Sequence, residues 1–579
     1  MAKPSTQKHA TPMQRFLNLL SIEKREIIYL YVYAVAAGLI SLALPLGIQS
    51  IIGFVSSGQI SVSVVVLISL IVLALLIVGG LQVMQLWLVE YLQQRIFVRH
   101  AFDFAYRIPR LQAEALQKYY PPELMNRFFD VVSLQKGLAK ILLDFSTAVI
   151  QIVFGLILLS LYHPYFIFLG VILVVVLIFI IWRTGDKGVE TSIRESKYKY
   201  KLVAWLEEMA RSLSTFKLVG HTNLPMERTD GYVNSYLKVR KEHFNVLMTQ
   251  YLSFVGFKTF ITGGLLVLGC ILVVQREINI GQFVASEIII ILIMTAVEKI
   301  IIKLDTVYDV LTSLDKIGHV TDLPIEEVKG IKLEDLPLNG GLSIQVQHLR
   351  YRYPDAKKIT LEDISFNVKP SQRICLAGYN NSGKSTLVSL LLGLYPSYEG
   401  GIIYSGVSLR DLHIGNLRSL IGDNMSKEQV FDGTLLDNIT MGGNLPLQDV
   451  LWAIDLAGLS EFVHALPEGL QSYLVGGSQR LPGSIARKIV MARTLVRRPK
   501  LLIIDDFWVG MSKREKMHLM RTLTSEQFDW TMIIVSNDLD VMELCDCTLL
   551  LQNGRLVASG SYEQIRQHEL LKELTEVTA

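Results

Sequence analysis

Residues 378–386 read Gly378-Tyr379-Asn380-Asn381-Ser382-Gly383-Lys384-Ser385-Thr386, after an apolar run over 374–377 and before a helix-like run over 387–392. An apolar strand, a glycine-rich loop and a helix in that order form a phosphate-binding loop. Glycines let the chain turn tightly, and the loop and helix N–H groups then point at an anion. At this spacing Lys384 reaches the outer phosphates of a nucleotide and Ser385 ligates Mg²⁺. A second apolar run, Leu501-Leu502-Ile503-Ile504, ends in Asp505 and Asp506, which sets Asp505 to hold the Mg²⁺ shell. The latter part of the chain is therefore expected to be an α/β P-loop nucleotide-binding domain.

The earlier part has a different composition. Of 579 residues, 51% are hydrophobic and 19% charged, and most long apolar runs precede residue 310. Crossing a hydrocarbon core of about 30 Å takes about 20 helical residues. Six stretches qualify: 27–52, 61–88, 140–162, 164–182, 249–274 and 281–303. The first lies too deep, and the runs are too many, for a cleavable signal peptide. A net charge of +3, from 56 basic and 53 acidic side chains, gives no reason to expect nucleic acid as a partner. Cys545 and Cys547 lack the companion ligands of a structural zinc site. The lipid bilayer is the partner that the composition demands.

Basic residues precede the first span and follow the second and fourth, among them Lys24, Arg25, Arg95, Arg99, Arg183 and Lys187. The loops after spans one and three are short and nearly uncharged, so both termini are expected in the cytoplasm. The intervals 89–139 and 183–248 are too long for loops and carry helical spacing with mixed charge. They read as membrane helices continued into the cytoplasm, broken near 119–122 and 220–225 by short crosswise helices that touch a soluble domain. Glu287 lies within the sixth span as a pathway candidate, while Glu298 and Lys299 lie near its cytoplasmic end, where long side chains snorkel.

Taken together, these motifs resemble a bacterial exporter-type (type I) ABC half-transporter. The resemblance covers nearly the whole chain and implies a six-helix all-α transmembrane domain followed by an α/β P-loop nucleotide-binding domain. It divides the chain into a cytoplasmic segment 1–26, a transmembrane domain 27–314, a linker 315–340 and a nucleotide-binding domain 341–579. Ala43-Leu44-Pro45-Leu46 and Gly281-Gln282-Phe283-Val284-Ala285 look closest to bacteriocin and toxin secretion exporters. Only about 25 residues precede the first span, so the N-terminal peptidase domain of many such exporters does not fit. The resemblance implies ATP and Mg²⁺ as cofactors, with Tyr353 rather than Tyr351 stacking on adenine. It implies as partners a second half-transporter, in a homodimer or a heterodimer, and a periplasmic adaptor as a candidate. It also implies a bacterial inner membrane.

Several positions depart from the family pattern. The signature serine-glycine-glycine run is replaced by Leu481-Pro482-Gly483-Ser484-Ile485. Pro482 supplies neither a hydroxyl nor an N–H to the partner's γ-phosphate, and Ser484 puts a side chain where a glycine backbone normally approaches. Ser426 stands where the family has a glutamine, with Gln429 nearby. Asp506 replaces the glutamate base and is one methylene short, where a displacement of about 1 Å can cost about a hundredfold. Asn537 replaces the switch histidine and cannot carry its charge near neutral pH. The expectation is an ATP-binding exporter subunit with impaired hydrolysis, moving a peptide, protein or other amphipathic substrate. The alternative is an ATP-binding but essentially non-hydrolytic membrane scaffold, regulator or gated conduit.

Overall fold

The computed structural model describes residues 10–56, 62–117, 119, 121–220, 222–338, 340–424, 430–476, 480–505 and 511–576. The chain separates into two compact units, Met1–Leu111 with Lys118–Pro324, and Gln112–Gln117 with Ile325–Ala579.

The first unit is all helical: α1 (Pro12–Ile22), α2 (Lys24–Ser41), α3 (Ala43–Ser56), α4 (Val62–Arg107), α5 (Ala113–Leu116, which lies with the second unit), α6 (Pro121–Met125), α7 (Phe129–Tyr162), α8 (Tyr165–Arg211), α9 (Leu213–Leu218), α10 (Leu224–Val274), α11 (Ile280–Ile302) and α12 (Leu304–Thr321). Among the described residues, six helical stretches are long and apolar enough to cross a membrane. The 46, 47 and 51 residues of α4, α8 and α10 extend about 70–75 Å at 1.5 Å per residue, more than twice a hydrocarbon core. Each therefore continues well beyond its apolar part.

Local chemistry explains where these helices break. The expected continuous first span is divided at Leu42 into α2 and α3, because Pro45 has no N–H for the Ser41 carbonyl four residues back. The first short helix is α5, just before the 119–122 stretch. Helix α4 gives way to the short 3₁₀ turn Ile108–Arg110, where Pro109 has no N–H for the Ala105 carbonyl four residues back. The second is α9, separated from α8 by Ser212 and ended before Gly220, whose φ is +85°. Past Ile302 the sixth helix breaks at Lys303 and resumes as α12 to Thr321.

The innermost helices of this unit are α7 and α11, whose Leu134, Leu159, Ile293 and Ala296 are buried. Gly188 of α8 lets Tyr308 of α12 approach so closely that a Cβ there would lie 2.3 Å from the ring. The missing side chain at Gly188 thus lets these two helices pack closely beyond their apolar spans. At the base of α2, buried Glu23 takes Arg95 at 3.3 Å and Arg99 at 3.0 Å, both from α4. Glu298 pairs with Lys258 of α10 at 2.8 Å, so it has a protein partner in addition to its place near the helix end.

The second unit contains β1 (Ile344–Tyr351), β2 (Leu361–Val368), β3 (Arg373–Gly378), α13 (Lys384–Leu391), β4 (Glu399–Tyr404), β5 (Val407–Ser408), α14 (Ile414–Ser419), β6 (Ile421–Asp423), β7 (Gly433–Thr434), α15 (Leu435–Thr440), α16 (Leu447–Leu456), α17 (Ser460–Ala465), β8 (Tyr473–Leu474), α18 (Gly483–Leu495), β9 (Leu501–Asp505), α19 (Lys513–Leu523), β10 (Thr531–Val535), α20 (Leu539–Glu543), β11 (Cys547–Gln552), β12 (Arg555–Gly560), α21 (Tyr562–Ile565) and α22 (Glu569–Glu576). The main sheet has the order β12-β11-β3-β10-β9-β6, and the four-stranded sheet β2-β1-β4-β5 is antiparallel. Strands β3, β9 and β10 are apolar runs buried on both faces, one against helices including α18 and α19 and the other against α13 and the antiparallel sheet, as parallel strands covered on both sides must be.

Candidate nucleotide site

Parallel pairing gathers the site. In β10, Val535 lies opposite Leu376 of β3 and Asp505 of β9, and β6 pairs with β9 on its other side. The four strands run in one direction, so Gly378, Asn537, Asp505 and Asn424 emerge at the same carboxyl edge. That edge is where open α/β sheets bind ligands.

The loop leaving β3 has the backbone that its composition calls for. Gly378 (φ +150°) and Gly383 (φ +105°) hold conformations that favour glycine. A Cβ on Gly378 would lie 2.2 Å from the Leu551 carbonyl, and one on Gly383 would lie 2.6 Å from the Leu361 side chain. Gly383 caps α13, whose first residue is Lys384. Lys384 Nζ donates to the carbonyls of Gly378 (2.7 Å) and Tyr379 (2.8 Å). The Ser382 carbonyl accepts from Gly554 N–H at 3.0 Å, while its buried hydroxyl has no hydrogen-bond partner among the described residues. Asn380, Asn381 and Ser385 are exposed at the same loop, and Thr386 is buried behind it. Glycine-shaped space, an orphaned hydroxyl and the hard oxygens of Ser385 and Asp505 fit a phosphate with Mg²⁺.

The flanking residues are tied to this loop. Asn537 Oδ1 accepts from Gly378 N–H at 3.0 Å. Asp505 N–H donates to Asn424 Oδ1 at 2.7 Å, and Asn424 N–H donates to the Ile503 carbonyl at 3.3 Å. Asn424 was not foreseen in the sequence; its signal is a polar side chain at the end of a buried strand. Ser426 and Asp506, with Gln429, lie outside the described residues.

The two candidate tyrosines part company. Tyr351 is buried at 1% exposure, and burial, then the nearby Glu114 carboxylate, push its phenol upward. Its hydroxyl donates to Glu114 at 3.3 Å, and Ser397 Oγ donates to the same carboxylate at 2.8 Å. Glu114 belongs to the segment Gln112–Gln117, so this helix between α4 and α7 is bound into the second unit. Tyr353 is only partly buried and its hydroxyl shares a hydrogen bond of 3.0 Å with Thr386 Oγ1. The rings of Tyr351, Tyr353 and Tyr395 pack on one another with centroids 5.1–5.6 Å apart.

The signature-like positions lie at a helix start. Pro482 is the N-cap residue of α18 and offers no side-chain bond to it, Gly483 is exposed, and Ser484 is half-buried. The other end of α18 is anchored. Arg493 Nε donates to the Asn438 carbonyl at 2.7 Å, and Thr494 Oγ1 to the Asp423 carbonyl at 2.9 Å. Buried Asn438 in turn bonds both backbone groups of Phe431, at 3.0 and 2.9 Å. Glu287, within α11, has one carboxylate oxygen buried without a partner among the described residues.

Comparison with known proteins agrees with the two-part organisation of the chain. Residues 27–297 match the family model for the ABC transporter transmembrane region, and residues 361–508 match that for ABC transporter. An ATP-dependent lipid A-core flippase of Coxiella burnetii is 24% identical over 291 residues, covering 50% of this chain and 49% of that protein. One from Burkholderia orbicola is 27% identical over 325 residues, covering 55% and 53%. The chain thus spans about half the length of the curated relatives it matches. A solved bacterial Atm1-family ABC exporter with ATP bound superposes with a TM-score of 0.85 over 96% of this chain and 99% of that one, at 18% identity, which establishes a shared fold.

These relatives correct the expected closeness to bacteriocin and toxin exporters. The likeness is not specific to that group: in sequence it runs to lipid A-core flippases, and in fold to an Atm1-family exporter. The strings around Pro45 and Phe283 misled because lipid imposes similar apolar residues on any membrane helix. The chain is a multi-pass membrane protein in which a six-span α-helical ABC transmembrane domain is followed by an α/β P-loop ATPase domain.

Proposed function

We propose that this chain is one half of a bacterial ABC exporter that binds ATP with Mg²⁺ and moves a lipid or other amphipathic substrate across the inner membrane, with slowed hydrolysis. The observation that carries the nucleotide part is the loop of 378–386, whose glycine-shaped cradle already holds Lys384 at its mouth. Lys384 leaves the two carbonyls for the outer phosphates, Gly378, Asn380, Asn381, Ser382, Gly383 and Thr386 line or support the cradle, and Tyr353 flanks the base. Ser385 and Asp505 hold Mg²⁺, which supplies charge neutralisation when bound. A second half-transporter, identical or not, presents its own signature loop, as Pro482, Gly483 and Ser484 are presented here. The lipid preference follows the names of the relatives, and both termini lie in the cytoplasm by the basic flanks.

Slowed hydrolysis rests on Asp506, Asn537, Ser426 and Pro482, which replace the family's base, switch, sensing and signature groups. A second reading, ATP binding without turnover, draws support from Asn537. Its amide oxygen is already engaged by Gly378 N–H, and it has no charge to lend. ATP then shifts a conformational equilibrium by differential affinity alone.

Phosphate release by the purified chain in lipid nanodiscs separates the two. Slow turnover that Lys384→Ala abolishes is expected for the exporter. Binding of ATP without any turnover, alone or with a co-expressed half-transporter, sinks the exporter and leaves the second reading. Absence of ATP binding sinks both.

A further inference from the structure

Tyr379, the second residue of the phosphate loop, has no part in the function above, yet it is held firmly. Its ring packs against the larger core of the ATPase domain, and Leu570, Leu571 and Leu574 of α22 are buried in the same core. Its hydroxyl donates to Glu573 Oε2 of α22 at 2.6 Å. A bond that short to a carboxylate is charge-assisted and directional, and it is the main cause of the upward shift of the phenol.

The start of the loop is thereby pinned from three sides. Asn537 takes Gly378 N–H, Lys384 takes the carbonyls of Gly378 and Tyr379, and Glu573 takes the Tyr379 side chain. Lys384 has to leave its two carbonyls to reach a phosphate. The Asn537 bond, the Ser382 N–H bond to the Tyr379 carbonyl at 3.1 Å and the Glu573 bond then remain on this turn, and of these only the last ties it to the C-terminal helix. Asn381 has a φ of +64°, the left-handed conformation that asparagine tolerates better than most residues. A loop that stays in shape when its lysine departs binds phosphate with less ordering cost.

We propose that Glu573, acting through Tyr379, is a positioning residue for the phosphate loop, so that nucleotide occupancy and the seating of the C-terminal helix are coupled. The inference rests on the reading of this loop as an ATP site. Coupling of this kind is reciprocal: whatever α22 adds to nucleotide affinity, nucleotide adds to the seating of α22.

The test uses the full chain in nanodiscs, with MgATP affinity measured alongside hydrogen–deuterium exchange over 569–576. In the wild type, MgATP is expected to slow exchange in 569–576, and Lys384→Ala removes that effect. Tyr379→Phe keeps the ring and loses the bond; it is expected to weaken MgATP and MgADP alike, about three- to tenfold, and to blunt the exchange response. Glu573→Gln keeps an acceptor without the charge, on an exposed side chain, and is expected to show a smaller loss in the same direction. A purely structural contact predicts no nucleotide-dependent change in α22. Wild type that binds MgATP with unchanged exchange in 569–576, or both variants binding like wild type, overturns this inference and leaves the proposed function intact. Wild type that binds no nucleotide overturns both.

Discussion

At the residue scale, the chemistry around the loop divides into groups that hold and groups that cleave. Lys384, Gly383 and Asp505 are the residues proposed to hold phosphate and Mg²⁺, and Asn424 and Asn537 bond the strand ends beside them. The replacements at 506, 537 and 482 each remove one capacity: reach, charge and hydroxyl. A chain carrying Asp506→Glu, Asn537→His and Pro482→Ser together is expected to release phosphate at least about tenfold faster than wild type, because reach and proton transfer are restored together. An unchanged rate would mean that another step limits turnover. Single replacements are expected to give much less, since groups acting as a unit are not additive. The motif residues were legible because their spacing is imposed by phosphate geometry. Asn424 and Glu573 were not, because each meets its partner only through folding, 81 and 194 residues away in the chain.

At the element scale, helix ends and helix contacts carry the testable energetics. Asp538 caps α20 by accepting from Asp540 N–H at 2.9 Å, and it forms an ion pair with Lys516 of α19. Partial burial pushes its carboxyl up, but the bond and charge of Lys516 and the Asp540 amide outweigh this and hold it below the usual range. A carboxyl lowered on folding stabilises the fold at every pH above its unfolded value, about 3.9, and loses that effect as pH falls further through the folded value. The melting temperature of Asp538→Asn should therefore lie below wild type by a constant gap from pH 7 to 5, and the gap should close only below about pH 4. In the helical unit, Gly188→Val drives a side chain into the Tyr308 ring and is expected to cost about 1–3 kcal/mol, read as a lower melting temperature in detergent. A wild-type melting temperature would show that α8 and α12 can separate there freely. The apolar lengths of these helices were readable from composition. The chain does break where expected, between Leu116 and Pro121 and between Leu218 and Leu224; the additional breaks at Pro109 and Ser212 went unread, because they act through local backbone geometry inside otherwise continuous helical spacing.

At the scale of the whole molecule, one chain presents a phosphate loop and, on α18, a separate exposed helix start at Pro482 and Gly483. The proposed site, built from two chains, requires both to be surface features. Light scattering of the purified chain, corrected for detergent and lipid, is expected to give twice its 65.2 kDa mass, or one copy of this chain with one of another half-transporter when the two are co-expressed. A monomer that still hydrolyses ATP would overturn the paired site. The order of a membrane part and an α/β part was set in the sequence, since bilayer thickness and phosphate geometry each leave a periodic, local imprint on residues close together in the chain. The strand order β12-β11-β3-β10-β9-β6, the inclusion of Gln112–Gln117 in the second unit and the clasp between Tyr379 and Glu573 arise only in the folded chain. They join residues far apart in sequence through contacts that no local pattern encodes.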